Sequence, residues 1–362
     1  MRVSRLLVAI GALSLAGCWG AFALQAQAAE ALKVLPPRRG MYHSAYPGFG
    51  LQDDEVSAES VRRFAAKAQK GIAWSYVAFH WNDGIRFPVE ACRTLHAEGI
   101  VPLVGIMPWS TRRQGQPESV YTLERILRGD FDWELTRCAE DVRALGFPIM
   151  IEFGPEVNGS WFPWNGVWNG RDADEYGERG VADGPERFRD AYRHIVDIFR
   201  ANGARDVTWV FHAALDGAPQ EAWNEPRNYY PGDAWVDWIG VSLYGRLRNN
   251  GAGNLNEPLD ALERAYLMLL RVSPQRPMAL LEFGTTEHGA KEKARWIDGL
   301  FREIRSGRYT RIKAVSWWNK PRRPDGKRSH LEIDSSRESL DAYRKGVGPL
   351  LDKVDFYLEY TP

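Results

Sequence analysis

A chain of 362 residues with 44% hydrophobic content has enough apolar material for a sizeable core, in one large α/β domain or two ordinary ones. Its 47 Lys and Arg balance 47 Asp and Glu, and a formal net charge of zero speaks against nucleic acid, whose binders carry a clear basic excess. The aromatic content is unusual, with 15 Trp, 14 Tyr and 15 Phe; most must be core, but indole gathered in loops calls for a ligand to cover it.

The N-terminus reads as an export signal over residues 1–28. Arg2 and Arg5 precede an apolar run at 6–24, and Ala26-Gln27-Ala28 fits the A-x-A cleavage pattern. Leu15-Ala16-Gly17-Cys18 also fits a lipobox, in which Cys18 would carry a lipid anchor; the apolar run continuing past Cys18 favours ordinary cleavage. No other stretch approaches the ~20 apolar residues of a membrane span. The mature protein is therefore expected to be exported, periplasmic or secreted. Cys92 and Cys138 remain after processing, both in predicted helices, and either a bridge or two buried thiols is open to them.

From residue 41 onward, short apolar strands alternate with amphipathic helices. The strand segments are MYHSAY (41–46), SYVAFHW (75–81), VPLVGIMP (101–108), PIMIEFGPE (148–156), VTWVFHA (207–213), WIGVSLYG (238–245), MALLEFG (278–284) and IKAVSWWN (312–319). Helical patterns such as AESVRRFAAKAQK, DWELTRCAEDVRALG and LDALERAYLMLLRV lie between them, and Gly99, Gly146 and Gly203 close several. Continuous apolar strands alternating with helices indicate a parallel sheet covered on both faces, and about eight such units indicate a single (β/α)8 TIM barrel over residues 32–355. A doubly wound sheet would carry a Gly-rich phosphate turn, and no G-x-G-x-x-G is present.

Catalytic groups of a barrel sit at the C-terminal strand ends. Here those ends carry His43 and Tyr46, His80 and Trp81, Trp109, Glu156, His212, Tyr244, Glu282, and Trp317-Trp318-Asn319. Period-two alternation places Glu152, Gly154 and Glu156 on one face of the fourth strand, and Leu280, Glu282 and Gly284 on one face of the seventh. Two carboxylates above a cleft rich in Trp, Tyr and Asn suit glycoside hydrolysis, with one acid for the leaving oxygen and one carboxylate for the anomeric carbon. Indole faces stack on sugar rings, and amides pair with hydroxyls. The competing assignment is a buried structural ion pair.

These segments resemble glycoside hydrolase family 26, the β-mannanase family, over roughly residues 40–345. PEVNGSWFPW is similar to the family's acid/base segment, His-Glu-Met-Asn-Gly followed by Trp-Phe and a further Trp. YYPGDAWVDWIGVSLYG (229–245) resembles its sixth strand, MALLEFG its nucleophile strand, and AVSWWN its eighth. The resemblance implies Glu156 as acid/base, Glu282 as nucleophile, Tyr244 holding Glu282 by a hydrogen bond, and Trp317 or Trp318 flooring the sugar site; a retaining mechanism then predicts a raised pKa for Glu156 and an ionised Glu282. Trp81, Trp109, Asn158, Trp161, Trp164 and His212 are the further expected substrate contacts. The fourth strand departs from the family pattern: Pro155 stands where the family has His, and Glu152 where it has Arg. A third anion beside the pair needs a compensating cation, with His43, His80, His212 and Arg86 as candidates.

After Glu156 a long loop runs to about Gly184, carrying Trp161, Phe162, Trp164 and Trp168 with Asn165 and Asn169. Loops this long are functional or disordered, and this one reads as a sugar platform with some aromatics anchoring it. Basic residues gather in other loops of the same end: Arg112-Arg113, Arg246, Arg248, and KPRRPDGKR at 320–328 with Arg322 and Arg323. The expected function is a monomeric, exported, retaining endo-β-glycanase acting on a polysaccharide, without metal or cofactor. A hydrolase of an anionic bacterial exopolysaccharide and a non-catalytic glycan-binding barrel are the alternatives.

Overall fold

Each of the eight apolar segments forms a strand. A computed structural model describes residues 31–50, 55–247, 257–287, 291–320, 328–354 and 356–359; residues 1–28, read above as an export signal with Cys18 within them, and Arg248, Arg322 and Arg323 lie outside them. The strands are β2 (Tyr42–Tyr46), β3 (Trp74–His80), β4 (Val101–Met107), β5 (Ile149–Phe153), β6 (Val207–Ala214), β7 (Trp238–Tyr244), β8 (Met278–Gly284) and β9 (Ile312–Trp318). They pair in parallel in the order β2-β9-β8-β7-β6-β5-β4-β3. The seam between β3 and β2 is bridged where the Ala73 amide donates to the His43 carbonyl at 2.8 Å and the Trp74 amide to Ser44 Oγ at 3.2 Å. The chain is a (β/α)8 barrel.

The principal helices between strands are α1 (Ala58–Ala68), α2 (Val89–Ala97), α3 (Leu123–Leu127), α4 (Asp132–Leu145), α5 (Asp183–Ala201), α6 (Pro226–Tyr229), α7 (Pro258–Val272), α8 (Glu292–Ile304) and α9 (Arg337–Val347). Ser57, Thr122 and Ser336 cap the starts of α1, α3 and α9 with their hydroxyls. Gly99, Gly146 and Gly203 follow helix ends with φ of 75°, 69° and 78°, the left-handed backbone that lets a helix stop and a strand begin. Outward strand residues pack on this shell; Phe153 of β5 stacks on Phe188 of α5 with ring centroids 5.3 Å apart.

The barrel floor contains an element the sequence did not announce. β1 (Ala31–Val34) pairs antiparallel with β10 (Phe356–Glu359) beneath the starts of β6 and β7. The Leu32 amide donates to Asp206 Oδ1 at 2.7 Å, the Val34 amide to Thr208 Oγ1 at 2.8 Å, and the Trp238 indole to the Val34 carbonyl at 2.6 Å. Trp74 and Trp238 stand on opposite strands of the ring yet meet edge to face at 5.8 Å, so indole fills the interior at this end. Cys92 and Cys138 are buried free thiols, not a bridge, and burial pushes both up to about 12.

One glycine decides how the chain leaves β5. Gly154 has φ of +60°, and a Cβ there would stand 2.6 Å from Phe188 and 2.9 Å from Trp164. Gly154→Ala therefore combines left-handed strain with overpacking and should cost about 2–4 kcal/mol. Urea unfolding measures this, and an unchanged midpoint would contradict the turn described.

Candidate active site

The C-terminal strand ends surround a cleft of about 830 Å³. Both Glu156 and Glu282 line it, together with Trp109, Trp161, Trp318, Tyr76, His80, Ser242 and Tyr244. The size suits several sugar-sized units rather than one small metabolite.

Glu156 does not arrive by strand alternation. β5 ends at Phe153, and the chain turns at Gly154 and again at Glu156, whose φ is +52°. A non-glycine residue in left-handed backbone costs on the order of 1 kcal/mol or more and is held there by its surroundings. Those surroundings are specific. The buried Trp164 indole donates to the Pro155 carbonyl at 2.8 Å, and the Trp161 indole donates to Glu156 Oε2 at 2.7 Å. Asn158 extends the β5–β6 ladder past the end of β5: its amide donates to the Ala214 carbonyl at 2.9 Å and its oxygen accepts the Ala214 amide at 2.8 Å.

Glu282 also departs from simple alternation. Leu280 pairs with Val241 but Glu282 pairs with Ser242, so a bulge inserts Leu281 between them. Leu280 and Glu282 consequently face opposite ways, contrary to the period-two expectation, and Leu281 reaches over Gly240, where a Cβ would stand 2.5 Å from its Cγ. The bulge turns Glu282 onto the face of Ser242 and Tyr244. The Tyr244 hydroxyl donates to Glu282 Oε2 at 2.7 Å.

Beneath the pair lies a buried polar chain. His212 Nδ1 meets Glu152 Oε2 at 3.0 Å, and His212 Nε2 meets Ser242 Oγ at 2.9 Å. Burial opposes charge on His212, but the Glu152 carboxylate, with Glu282 and Glu156 behind it, outweighs that and pushes its pKa up to about 9. Of the four candidate cations, His212 is thus the one that answers Glu152. His43 instead bonds the Gly71 carbonyl and the Tyr343 hydroxyl, with burial lowering it to about 4. Arg86 is exposed and outside the cleft lining, and His80 lines the cleft with Nδ1 accepting from the Trp109 indole at 2.9 Å. The raised carboxyl is Glu282, where the retaining mechanism predicts that state on Glu156. Burial and then the Glu156 charge push Glu282 up to about 8, against the pull of His212 and Tyr244.

The expected aromatic contacts divide by depth. Trp109, Trp161 and Trp318 line the cleft, Trp318 stacked on Tyr46 at 4.2 Å. Trp81, Trp164 and Trp317 are almost completely buried and offer no face to a sugar. Trp164 stacks on Phe162 at 4.4 Å behind Trp109, and the Trp317 indole donates to the Leu331 carbonyl at 2.9 Å on the helix side of β9. Asn158 and His212 are likewise buried, supporting the site from below rather than touching a ligand. Asn165 is also buried, its amide on the Val157 carbonyl at 2.8 Å, while Asn169 bonds the Pro163 and Asn165 carbonyls. The long loop is further tied to α5, where Asp183 accepts the Glu175 and Tyr176 amides and Glu186 the Glu178 amide.

Sequence reasoning missed Tyr76 and Ser242, although counting back in twos from His80 and Tyr244 reaches both. Of the basic loop residues, Arg112 and Lys320 line the cleft; Arg112 donates to Asn82 Oδ1 at 2.9 Å, and Arg246 meets Glu292 at 3.1 Å. Among the described residues no group of three His, Cys, Asp or Glu could hold a metal, and no helix is long and apolar enough to cross a membrane.

The model of glycosyl hydrolase family 26 matches residues 123–274, which hold β5, β6, β7 and the turn that carries Glu156. Endoglucanase H of Acetivibrio thermocellus is 28% identical over 310 residues, 85% of this chain. The chain is thus similar to glycosyl hydrolase family 26. It spans 31% of the length of that curated relative. Family 26 structures share the fold. The catalytic domain of a Bacillus sp. JAMB-750 endo-β-1,4-mannanase superposes with a TM-score of 0.61 at 17% identity, covering 86% of each chain. A β-mannanase from Bacteroides ovatus gives 0.58 at 15% identity, covering 90% of this chain and 94% of that one.

The raised Glu282 carboxyl has a consequence for stability. It binds its proton more tightly folded than unfolded, so folding becomes less favourable as pH climbs from its ordinary value of 4.5 to about 8. Glu282→Gln removes that penalty. Its Tm should match the wild type near pH 4.5 and exceed it by about 2 °C or more at pH 8, in a calorimetric comparison. A lower Tm at pH 8 would contradict the assignment.

Proposed function

We propose that this protein is an exported, retaining endo-β-glycanase of the family 26 type that cleaves a β-linked polysaccharide by double displacement. The observation that carries the reading is the convergence of Glu156 and Glu282 on one aromatic-walled cleft, each engaged by a different donor, Trp161 and Tyr244. Glu282 attacks the anomeric carbon while Glu156 protonates the departing oxygen; Glu156 then removes a proton from water as that water displaces Glu282. Tyr244 holds the attacking oxygen and stabilises its ionised form, and the Trp161 indole fixes the direction of Glu156. The exposed faces of Trp161 and Trp318 suit sugar rings. The likeness to an endoglucanase supports a β-glucan as the first polymer to test, with β-mannan beside it. A second reading, an anionic glycan, draws on Arg112 and Lys320 in the cleft lining and predicts turnover that weakens as salt rises.

Mixed-linkage β-glucan and β-mannan should lose viscosity faster than they gain reducing ends, with the first-formed anomer by NMR retaining the β configuration. Glu282→Ala should abolish turnover, and azide should restore it with inverted product. Glu156→Ala should lose about 10²–10⁴-fold on polymer yet spare aryl glycosides with good leaving groups in the first step. Binding of glycan without turnover would establish a non-catalytic barrel instead, and inverted product would end the double-displacement mechanism.

A further inference from the structure

We propose that Glu152, His212 and Ser242 form a positioning device beneath the cleft: a fixed imidazolium, clamped by Glu152, that favours the ionised form of Glu282 and presents the Ser242 hydroxyl upward beside it. The inference rests on the hydrolase reading for its purpose, but the device itself is a property of the folded chain.

Three consecutive barrel strands supply one member each. Glu152 is on β5 and completely buried, His212 on β6 is 2% exposed, and Ser242 on β7 lines the cleft. A buried carboxylate is costly unless it is paired. Glu152 Oε2 has His212 Nδ1 at 3.0 Å, while Oε1 has no hydrogen-bond partner. The imidazole is therefore the group that makes the burial of Glu152 tolerable, and it does so fully only when charged. In that state both ring nitrogens donate, Nδ1–H to Glu152 and Nε2–H to Ser242 Oγ at 2.9 Å. Ser242 then accepts from below, and its own proton is directed to the cleft side. There the strand register sets Ser242 directly beside Glu282.

The charges acting most strongly on His212 are all acidic: Glu152 from β5, Glu282 from β8 and Glu156 from the turn after β5. In return His212 opposes the two influences that would protonate Glu282, namely burial and the Glu156 charge. Glu152 acts on Glu282 in the opposite sense but more weakly than His212 does. The net effect of the pair is to favour the ionised nucleophile, although the pair is neutral as a whole. The order carboxylate, imidazole, hydroxyl is also that of an acyl-transfer triad. An imidazolium cannot take the proton of the Ser242 hydroxyl, so the same geometry serves orientation rather than attack by serine.

Two NMR titrations test this without relying on turnover. In the wild-type protein the ¹⁵N signals of His212 should be those of a doubly protonated ring at pH 7. The ¹³C carboxyl signal of Glu282, assigned by its loss in Glu282→Gln, should titrate about one unit higher in His212→Gln. Because His212→Gln strands the Glu152 carboxylate and can fail to fold, the double variant Glu152→Gln/His212→Gln, which removes the buried ion pair, should still show an upward shift, smaller because the opposing Glu152 charge goes with it. The acid limb of kcat/KM should move with it. A neutral His212 at pH 7, or a Glu282 titration unmoved in the double variant, overturns the proposal. Absence of hydrolysis on any glycan with both NMR results as expected would refute the hydrolase reading while the device stands.

Discussion

Two carboxyl groups that share a cleft repel each other, and the mouth of this barrel is organised around that repulsion. Glu156 raises the pKa of Glu282, and burial adds to the effect. Left alone, Glu282 would hold its proton still more firmly. Two donors oppose this from different directions. Tyr244 bonds Glu282 directly, and the His212 charge acts from below, itself sustained by Glu152. A third glutamate so close to the first two looks unfavourable in isolation. It becomes intelligible as the counter-ion that keeps His212 protonated.

Such electrostatics work only if the groups cannot drift apart. Glu282, His212 and Ser242 sit on three consecutive hydrogen-bonded strands, so their spacing is set by the sheet. Glu156 lies on a turn instead, and the turn is made rigid by buried side chains. Asn158 continues the ladder that β5 has abandoned, Trp164 fastens the Pro155 carbonyl, and Asn165 holds the Val157 carbonyl. Several residues expected to touch sugar thus hold the turn that carries the acid/base candidate.

Much of this was legible in the sequence, and the failures share a physical cause. The eight strands could be read because buried parallel strands need unbroken apolar runs, and Glu156 and Glu282 could be read because strand ends converge on one mouth. Alternation failed at the two places where the backbone leaves ideal strand geometry, the Gly154 turn and the Leu281 bulge. A bulge depends on how two strands pair, which a single segment does not record. Trp161 and Trp164 are three residues apart in one loop, yet one faces the cleft and the other is buried. Residue type alone gives no sign of which is which, since both indoles find an acceptor. The β1–β10 pair escaped notice because two four-residue strands from opposite ends of the chain have no local pattern.

The central claim is that Glu282 is the group that bonds to the sugar while Glu156 manages the proton. The most direct test is to trap the intermediate with an activated 2-deoxy-2-fluoro-β-glucoside or β-mannoside and map the labelled peptide by mass spectrometry. The account predicts one equivalent of label, carried by Glu282 within the MALLEFG segment, with inactivation that Glu282→Gln abolishes. Label on Glu156, or on Glu152 or Ser242 beneath the cleft, would contradict it.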